Sequence, residues 1–430
     1  MPRFLKTAPG LPPAAEADIQ DTVQIMLARL KAGGDAAALD YAQRLDGWQG
    51  EVVVSPAQIE QARAQVAQPL RAALEYAHDN IRAFALAQRA SLTEFETELR
   101  PGLIAGQKVI PVSSAGCYVP GGRYAHIASA LMTITTAKAA GVPHITAVAP
   151  PRGDGIDAAT LYAMHLAGAD LILNLGGVQG IAAMAFGLFG APAADILCGP
   201  GNAYVAEAKR QLFGPTGIDM FAGPTDIAIL ADAGADPALV ALDLAGQAEH
   251  GPTSPCWLIT DDEALGREVL RLMPATLASL PKGNRDTARE AWDAMGEVIL
   301  CATREEMARE SDRLAPEHLH VQADDLPWWQ NRLTAYGSLF LGADTTVAFG
   351  DKASGPNHVL PTSGAARYTG GLSVHKFLKT VTWQRVTDQA LPDLARATAV
   401  ISHAEGMHGH AMTAEARMTP PAPFPRAVGD

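Results

Sequence analysis

The sequence predicts an α/β fold built on mostly parallel sheets, and three observations predict it. From Lys108 onward, short runs rich in aliphatic and β-branched residues alternate with alanine-rich stretches of helical length, the pattern left by strands joined through helical crossovers. Seven such runs fall between residues 109 and 301, which suits two sheets better than one. The first hundred residues and those after Gly370 read instead as helical, so helical segments are expected to flank the sheets.

In chain order, Ala14 to Lys31 carries Ile19, Val23, Met26, Leu27 and Leu30 at helical spacing, and Gly33-Gly34 is expected to stop that helix. Pro12-Pro13 sets off a short arm before it. Ser55-Pro56 opens a second helix, a capping residue followed by proline at the first helical position, and a long helical pattern runs from about Pro69 to Ala90. The expected strands are Val109 to Val112, His144 to Val148, Leu171 to Leu175, Asp195 to Cys198, Ile227 to Leu230, Trp257 to Thr260 and Val298 to Cys301. Helices are expected over Ile127 to Ala140, Ala158 to Ala167, Ile181 to Leu188 and Ala203 to Leu212. A proline-rich tail, Thr419 to Pro425, closes the chain.

Composition narrows the function classes. The 430 residues are 48% hydrophobic and 18% charged, enough apolar content for more than one core and too little polarity for extended disorder. A net charge of −13 argues against nucleic acid as a partner, because phosphate contacts need a concentrated basic face. The first eighteen residues lack a signal-peptide core, and the stretch from Gly180 to Ala194 is too short and too broken to span a bilayer; a soluble cytoplasmic protein is expected. Cys117, Cys198, Cys256 and Cys301 are widely spaced with no C-x-x-C pair, which favours buried reduced thiols over a disulfide framework or thiolate zinc site.

Four strand ends lead into glycine-rich turns: Val119 to Arg123, Leu175 to Gly180, Cys198 to Asn202 and Phe221 to Thr225. Such loops suit backbone approach to a phosphate, yet none spells G-x-G-x-x-G and no Walker lysine follows. Tight βα turns and a nucleotide site both remain open on this evidence. Eight of the twelve histidines follow residue 249. Gln247 and His250 stand three apart near the end of a helix expected from Pro237, so both can reach one metal; a helix-terminal histidine is the plainer reading. Glu317-His318-Leu-His320 offers an adjacent base and proton carrier, although strand alternation would put His318 and His320 on one face and Glu317 on the other. Asp351, Lys352 and His358 lie in a stretch rich in glycine and proline, read as a loop dense in chemistry. Glu405, His408 and His410 crowd near the C-terminus. This mix of nitrogen and oxygen donors suits zinc, cobalt or manganese, and the lack of H-E-x-x-H disfavours a zincin.

The ordered motifs GCYVPGG, GVQGIAAMAFG, CGPGNAYV, AGPTD, GQAEH, APEHL, GDKASGPNHVLPTSG and AEGMHGH resemble those of the histidinol dehydrogenase superfamily, from about residue 15 to 415. The resemblance implies two incomplete Rossmann-like lobes with parallel sheets, a helical N-terminal arm and a small helical C-terminal segment. Its expected division is 1–15 for the arm, 16–117 with 225–370 for the first lobe, 118–224 for the second, and 371–430 for a segment that crosses a homodimer. It implies metal ligands at Gln247, His250, Asp351 and His410 for one zinc per subunit, and general bases at Glu317 and His318. Contacts to NAD fall on Tyr118, Gln179 and Asn202. Substrate contacts fall on Thr225, His358 and Glu405, shared with His318, Gln247 and His250. The implied reaction is a four-electron oxidation of a primary alcohol to a carboxylate through an aldehyde, with two NAD used in turn.

Some positions depart from the histidine-making branch. Thr225-Asp226 stands where that branch reads Ser-Glu, and Lys352 stands where it carries an aromatic. These variants, with the segments His250 to Pro255 and His375 to Trp383, resemble the sulfopropanediol 3-dehydrogenase branch, which oxidises 2,3-dihydroxypropane-1-sulfonate to sulfolactate. Lys352 adds a candidate cation for an anionic substrate. Histidinol dehydrogenase activity is the alternative expectation. A zinc hydrolase, or a binding protein that has lost turnover, is the remote one.

Overall fold

The computed structural model describes residues 2–10, 16–121, 126–220 and 223–418. Pro12-Pro13, the tail from Thr419 and parts of two glycine turns (Gly122-Arg123 and Phe221-Ala222) lie outside the described residues. The chain divides into two compact units, Met1–Arg89 with Pro111–Phe377, and Ala90–Ile110 with Leu378–Asp430.

The larger unit holds two sheets of the expected kind. In one, the order is Leu171–Asn174, His144–Ala149, Ser114–Tyr118, Ile196–Cys198, Gly217–Ile218, all parallel. In the other, Gly296–Leu300, Cys256–Thr260, Ile227–Ala231, His318–Gln322 and Ser338–Leu341 run parallel, and Arg3–Lys6 adds an antiparallel edge beside Gly296–Leu300. Numbered within each sheet, the parallel strands follow the order 3-2-1-4-5, the Rossmann arrangement with a switch point between the first and fourth strands. Their fully buried aliphatic runs, such as Ile227–Ala231, are what strands covered by helices on both faces require.

Helix signals act as the sequence predicts, with one revision. Ser55 caps Pro56–Gln65 in a reciprocal capping box with Gln58, and Asp157, Asn202, Asp236 and Thr303 cap later helices. The first helix does not stop at Gly33-Gly34. It kinks at Gly34 (φ 55°) and runs over Glu16–Asp46, because Ala38, Tyr41 and Ala42 beyond the kink bury against the same core as Val23, Leu27 and Leu30. That helix packs on Gly177–Phe186 and Ala203–Leu212, and so covers the five-stranded sheet.

Two strand expectations change. Ser114–Tyr118, at the centre of the five-stranded sheet, has no β-branched residue; Gly116 is there because a Cβ would stand within 3 Å of Leu197 and Met184. The expected strand Val109 to Val112 is instead the end of Leu103–Pro111, the middle of a three-stranded sheet with Phe95–Arg100 and Leu378–Val386. That sheet belongs to the smaller unit, together with helices Leu391–Ala404 and His408–Glu415. Among the described residues, no helix is long and apolar enough to cross a membrane.

Candidate active site

The switch point of the six-stranded sheet brings His318 beside Ile227. Residues just ahead of both strands therefore meet at the amino ends: Thr225 and Asp226 on one side, Glu317 on the other. Glu317 Oε2 accepts from Thr225 Oγ1 at 2.5 Å and from the Asp226 N–H at 3.1 Å. His318 Nδ1 donates to the Asp226 carbonyl at 2.8 Å and stands 3.6 Å from Glu317 Oε2. Alternation does not separate the pair, since Glu317 precedes the strand His318–Gln322 and is free of its pleat. His318 and His320 do share a face, each with its ring near Phe340.

Helix Pro237–Ala248 carries Gln247 into this cluster, where its Nε2 donates to Thr225 Oγ1 at 2.7 Å. His250 follows the helix end, with its Nε2 3.8 Å from Asp351 Oδ2. Asp351 sits in the last turn of a short helix, Val347–Lys352, and not in the expected loop. Its Oδ1 lies 3.6 Å from His318 Nε2, a buried ring nitrogen with no hydrogen-bond partner. His358 is held at both nitrogens, by the Asp351 carbonyl at 2.7 Å and Ser129 Oγ at 3.0 Å. Beside this group opens a cavity of about 470 Å³ whose wall includes His126, Ser129, His250, Lys352 and His358.

Burial sets the electrostatics. Desolvation pushes the Glu317 carboxyl up to about 7, against the opposing charge of His318 and with the charge of Asp226 adding to the rise. Burial alone would lower His318, but the carboxylates of Glu317 and Asp351 outweigh it and raise that group. Burial works against ionised Asp351 too, yet hydrogen bonding and charge from His318 hold it well below the usual carboxylate range. His126 is lowered to about 4 by burial and by His358, His250 and Lys352.

A second cavity, of about 520 Å³, opens at the carboxyl ends of the five-stranded sheet, where Rossmann-like sheets take ligands. Tyr118, Gln179 and Asn202 all line it, with Asp46 and Arg152. The Tyr118 hydroxyl accepts from the Gly177 N–H at 3.1 Å, and Asn202 caps helix Ala203–Leu212. Gln179 Nε2 donates to Asp46 at 2.8 Å while its buried Oε1 has no partner, an acceptor left for a bound donor. Gly199 has φ 110°, and a Cβ there would strike the Tyr118 carbonyl at 2.1 Å; the glycine turn is required by that close approach. Lys209 and Asp219, a buried ion pair, hold the Gly199 carbonyl and N–H from beneath.

Sequence reading passed over Asp226, His126, Ser129 and Asp46. Asp226 carried a usable signal, as the residue after Thr225 in AGPTD. Glu405 and His410 belong to the smaller unit, where both are exposed, at the end of Leu391–Ala404 and on His408–Glu415. Gln247, His250 and Asp351 offer oxygen and nitrogen donors that fit a divalent cation in chemistry. Among the described residues, however, no group of three or more His, Cys, Asp and Glu is arranged to hold one.

Comparison with known proteins follows the same line. Residues 12–418 match the histidinol dehydrogenase family. A histidinol dehydrogenase homolog of Ruegeria pomeroyi is 70% identical, over 99% of this chain and 98% of its own. A sulfopropanediol 3-dehydrogenase of the same organism is 59% identical, over 96% of each chain. The crystal structure of histidinol dehydrogenase from Elizabethkingia anophelis matches at a TM-score of 0.90 and 32% identity, covering 95% of this chain and 94% of that one. With its fold, its ordered motifs and these matches in agreement, the chain belongs to the histidinol dehydrogenase family, a family of NAD-dependent dehydrogenases.

Proposed function

We propose that the protein oxidises a small anionic primary alcohol to its carboxylate, through the aldehyde, with 2,3-dihydroxypropane-1-sulfonate as substrate and 3-sulfolactate as product. The observation that carries the substrate class is Lys352, whose side chain lines the 470 Å³ cavity beside His250 and His358. The 59% identity to a sulfopropanediol 3-dehydrogenase supports the same class.

The roles follow from position. His318 Nδ1 is committed to the Asp226 carbonyl, which leaves Nε2 to receive the proton of the alcohol as hydride leaves the carbon. Glu317, with a value near neutrality, takes a proton from the water that adds to the aldehyde, and the hydrate gives up the second hydride. NAD supplies the oxidant for each two-electron step, with Tyr118, Gln179 and Asn202 as its contacts. Zinc, held by Gln247, His250 and Asp351 with His410, would supply a Lewis-acid anchor for the substrate's oxygens. Thr225 and His358 orient the substrate. Glu405 and His410 are supplied by a second copy of the chain in a homodimer.

The test is a comparison of NADH formation on the sulfonate diol and on histidinol. The expected result is a higher kcat/KM on the diol; preference for histidinol would favour the histidine-making activity. On the diol, Lys352→Met removes a charge-assisted hydrogen bond worth about 1.5–3 kcal/mol, a fall of roughly ten- to 150-fold in kcat/KM. A change below about threefold would reject Lys352 as the selector.

A further inference from the structure

Asp226 makes more contacts with the proposed base pair than any role assigned above uses. Its carboxylate Oδ1 accepts from the Glu317 backbone N–H at 2.7 Å. Its own N–H donates to Glu317 Oε2 at 3.1 Å, and its carbonyl takes His318 Nδ1 at 2.8 Å and the His318 N–H at 3.3 Å. The Ser363 backbone also hydrogen-bonds the carboxylate, from a turn where Ser363 itself has φ 55°. Asp226 is 2% exposed, so no water competes for these bonds.

From this geometry we infer that Asp226 is the positioning residue of the Glu317–His318 pair. One side chain ties the peptide that carries both bases to the start of strand Ile227–Ala231. Its backbone then fixes which oxygen of Glu317 is occupied and which nitrogen of His318 stays open. Without the Oδ1 acceptor, the Glu317 N–H would be a buried donor left unpaired, and the segment would shift to find another partner. Displacement of about 1 Å in a reacting group can cost on the order of 10²-fold in rate, whereas substrate contacts made by other side chains would persist. The inference rests on the roles proposed for Glu317 and His318.

The test compares Asp226→Ala, Asp226→Thr and Asp226→Asn with Glu317→Gln, on metal-replete protein, with kcat and KM on the sulfonate diol and thermal melting of each variant. Asn retains an oxygen at the accepting position; Thr fills nearly the same volume and guards against collapse in the Ala variant. Expected are a kcat lower by roughly 10²-fold for Ala and Thr, KM within about threefold, and Asn within about tenfold of the parent. Folded Ala or Thr variants with kcat within about threefold would overturn the inference while an inactive Glu317→Gln leaves the catalytic reading standing. An Asn variant as slow as Ala would overturn it too. Turnover retained in Glu317→Gln would remove the catalytic reading, and the inference with it.

Discussion

Glu317 is a buried carboxyl whose single occupied oxygen, Oε2, is shared by Thr225 and the Asp226 N–H. Two donors do not offset the loss of water, so the group is raised to about 7. A general base works only when ionised, and a raised value moves ionisation into the neutral range. Oxidation of the aldehyde is therefore expected to rise as pH passes through about 7 and level off above it. Initial rates from about pH 5.5 to about 9 check this; a plateau already reached below about pH 6 would show a carboxylate with an ordinary value. Glu317→Gln is expected to abolish the rise together with the second oxidation. The facing groups are His318, whose charge opposes the rise, and Asp226, whose charge adds to it.

At the scale of elements, the turn from Cys198 to Asn202 depends on a pair outside it. Lys209 and Asp219 are both buried, and between them they hold the N–H and carbonyl of Gly199. Asp219→Ala leaves a buried ammonium unpaired and is expected to lower stability by about 3–5 kcal/mol, read by denaturant unfolding. The same variant is expected to raise the KM for NAD more than that for the diol, since Asn202 stands at the end of that turn. Ser55→Ala, which removes one half of a capping box at an exposed helix start, is expected to cost only about 1 kcal/mol.

These elements also show how far sequence goes. The aliphatic runs that became Ile227–Ala231 and Cys256–Thr260 were legible because burial on both faces demands such residues. Ser114–Tyr118 was not, because its place between Met184 and Leu197 selects for small side chains, which look like a turn. Phe95–Arg100 was not, because all six of its residues are exposed and nothing in it alternates. Helices were read well where a cap marked them. Gly34 misled, since tertiary burial of Ala38 and Tyr41 carries the helix past a residue that would end it in isolation.

For the whole molecule, the candidate site joins residues from four distant stretches: 225–226, 247–250, 317–318 and 351–358. No periodicity links Asp226 to Glu317, 91 residues on; only the strand order 3-2-1-4-5 brings them together, and the resemblance of motifs stood in for that topology. The proposed homodimer with shared sites makes a prediction at this scale. His410→Ala and Glu317→Gln should each be inactive alone, yet mixing them through dissociation and reassembly should recover up to about a quarter of the parent activity, since half the dimers are hybrid and each holds one intact site. No recovery, with exchange of subunits demonstrated, would place His410 outside a neighbour's site.

The central claim is that one buried Glu–His pair serves two consecutive oxidations of the same carbon. It is tested most directly by counting NADH formed per molecule of 2,3-dihydroxypropane-1-sulfonate consumed to completion. The account predicts two, with 3-sulfolactate as the only product; one NADH with aldehyde accumulating would contradict it.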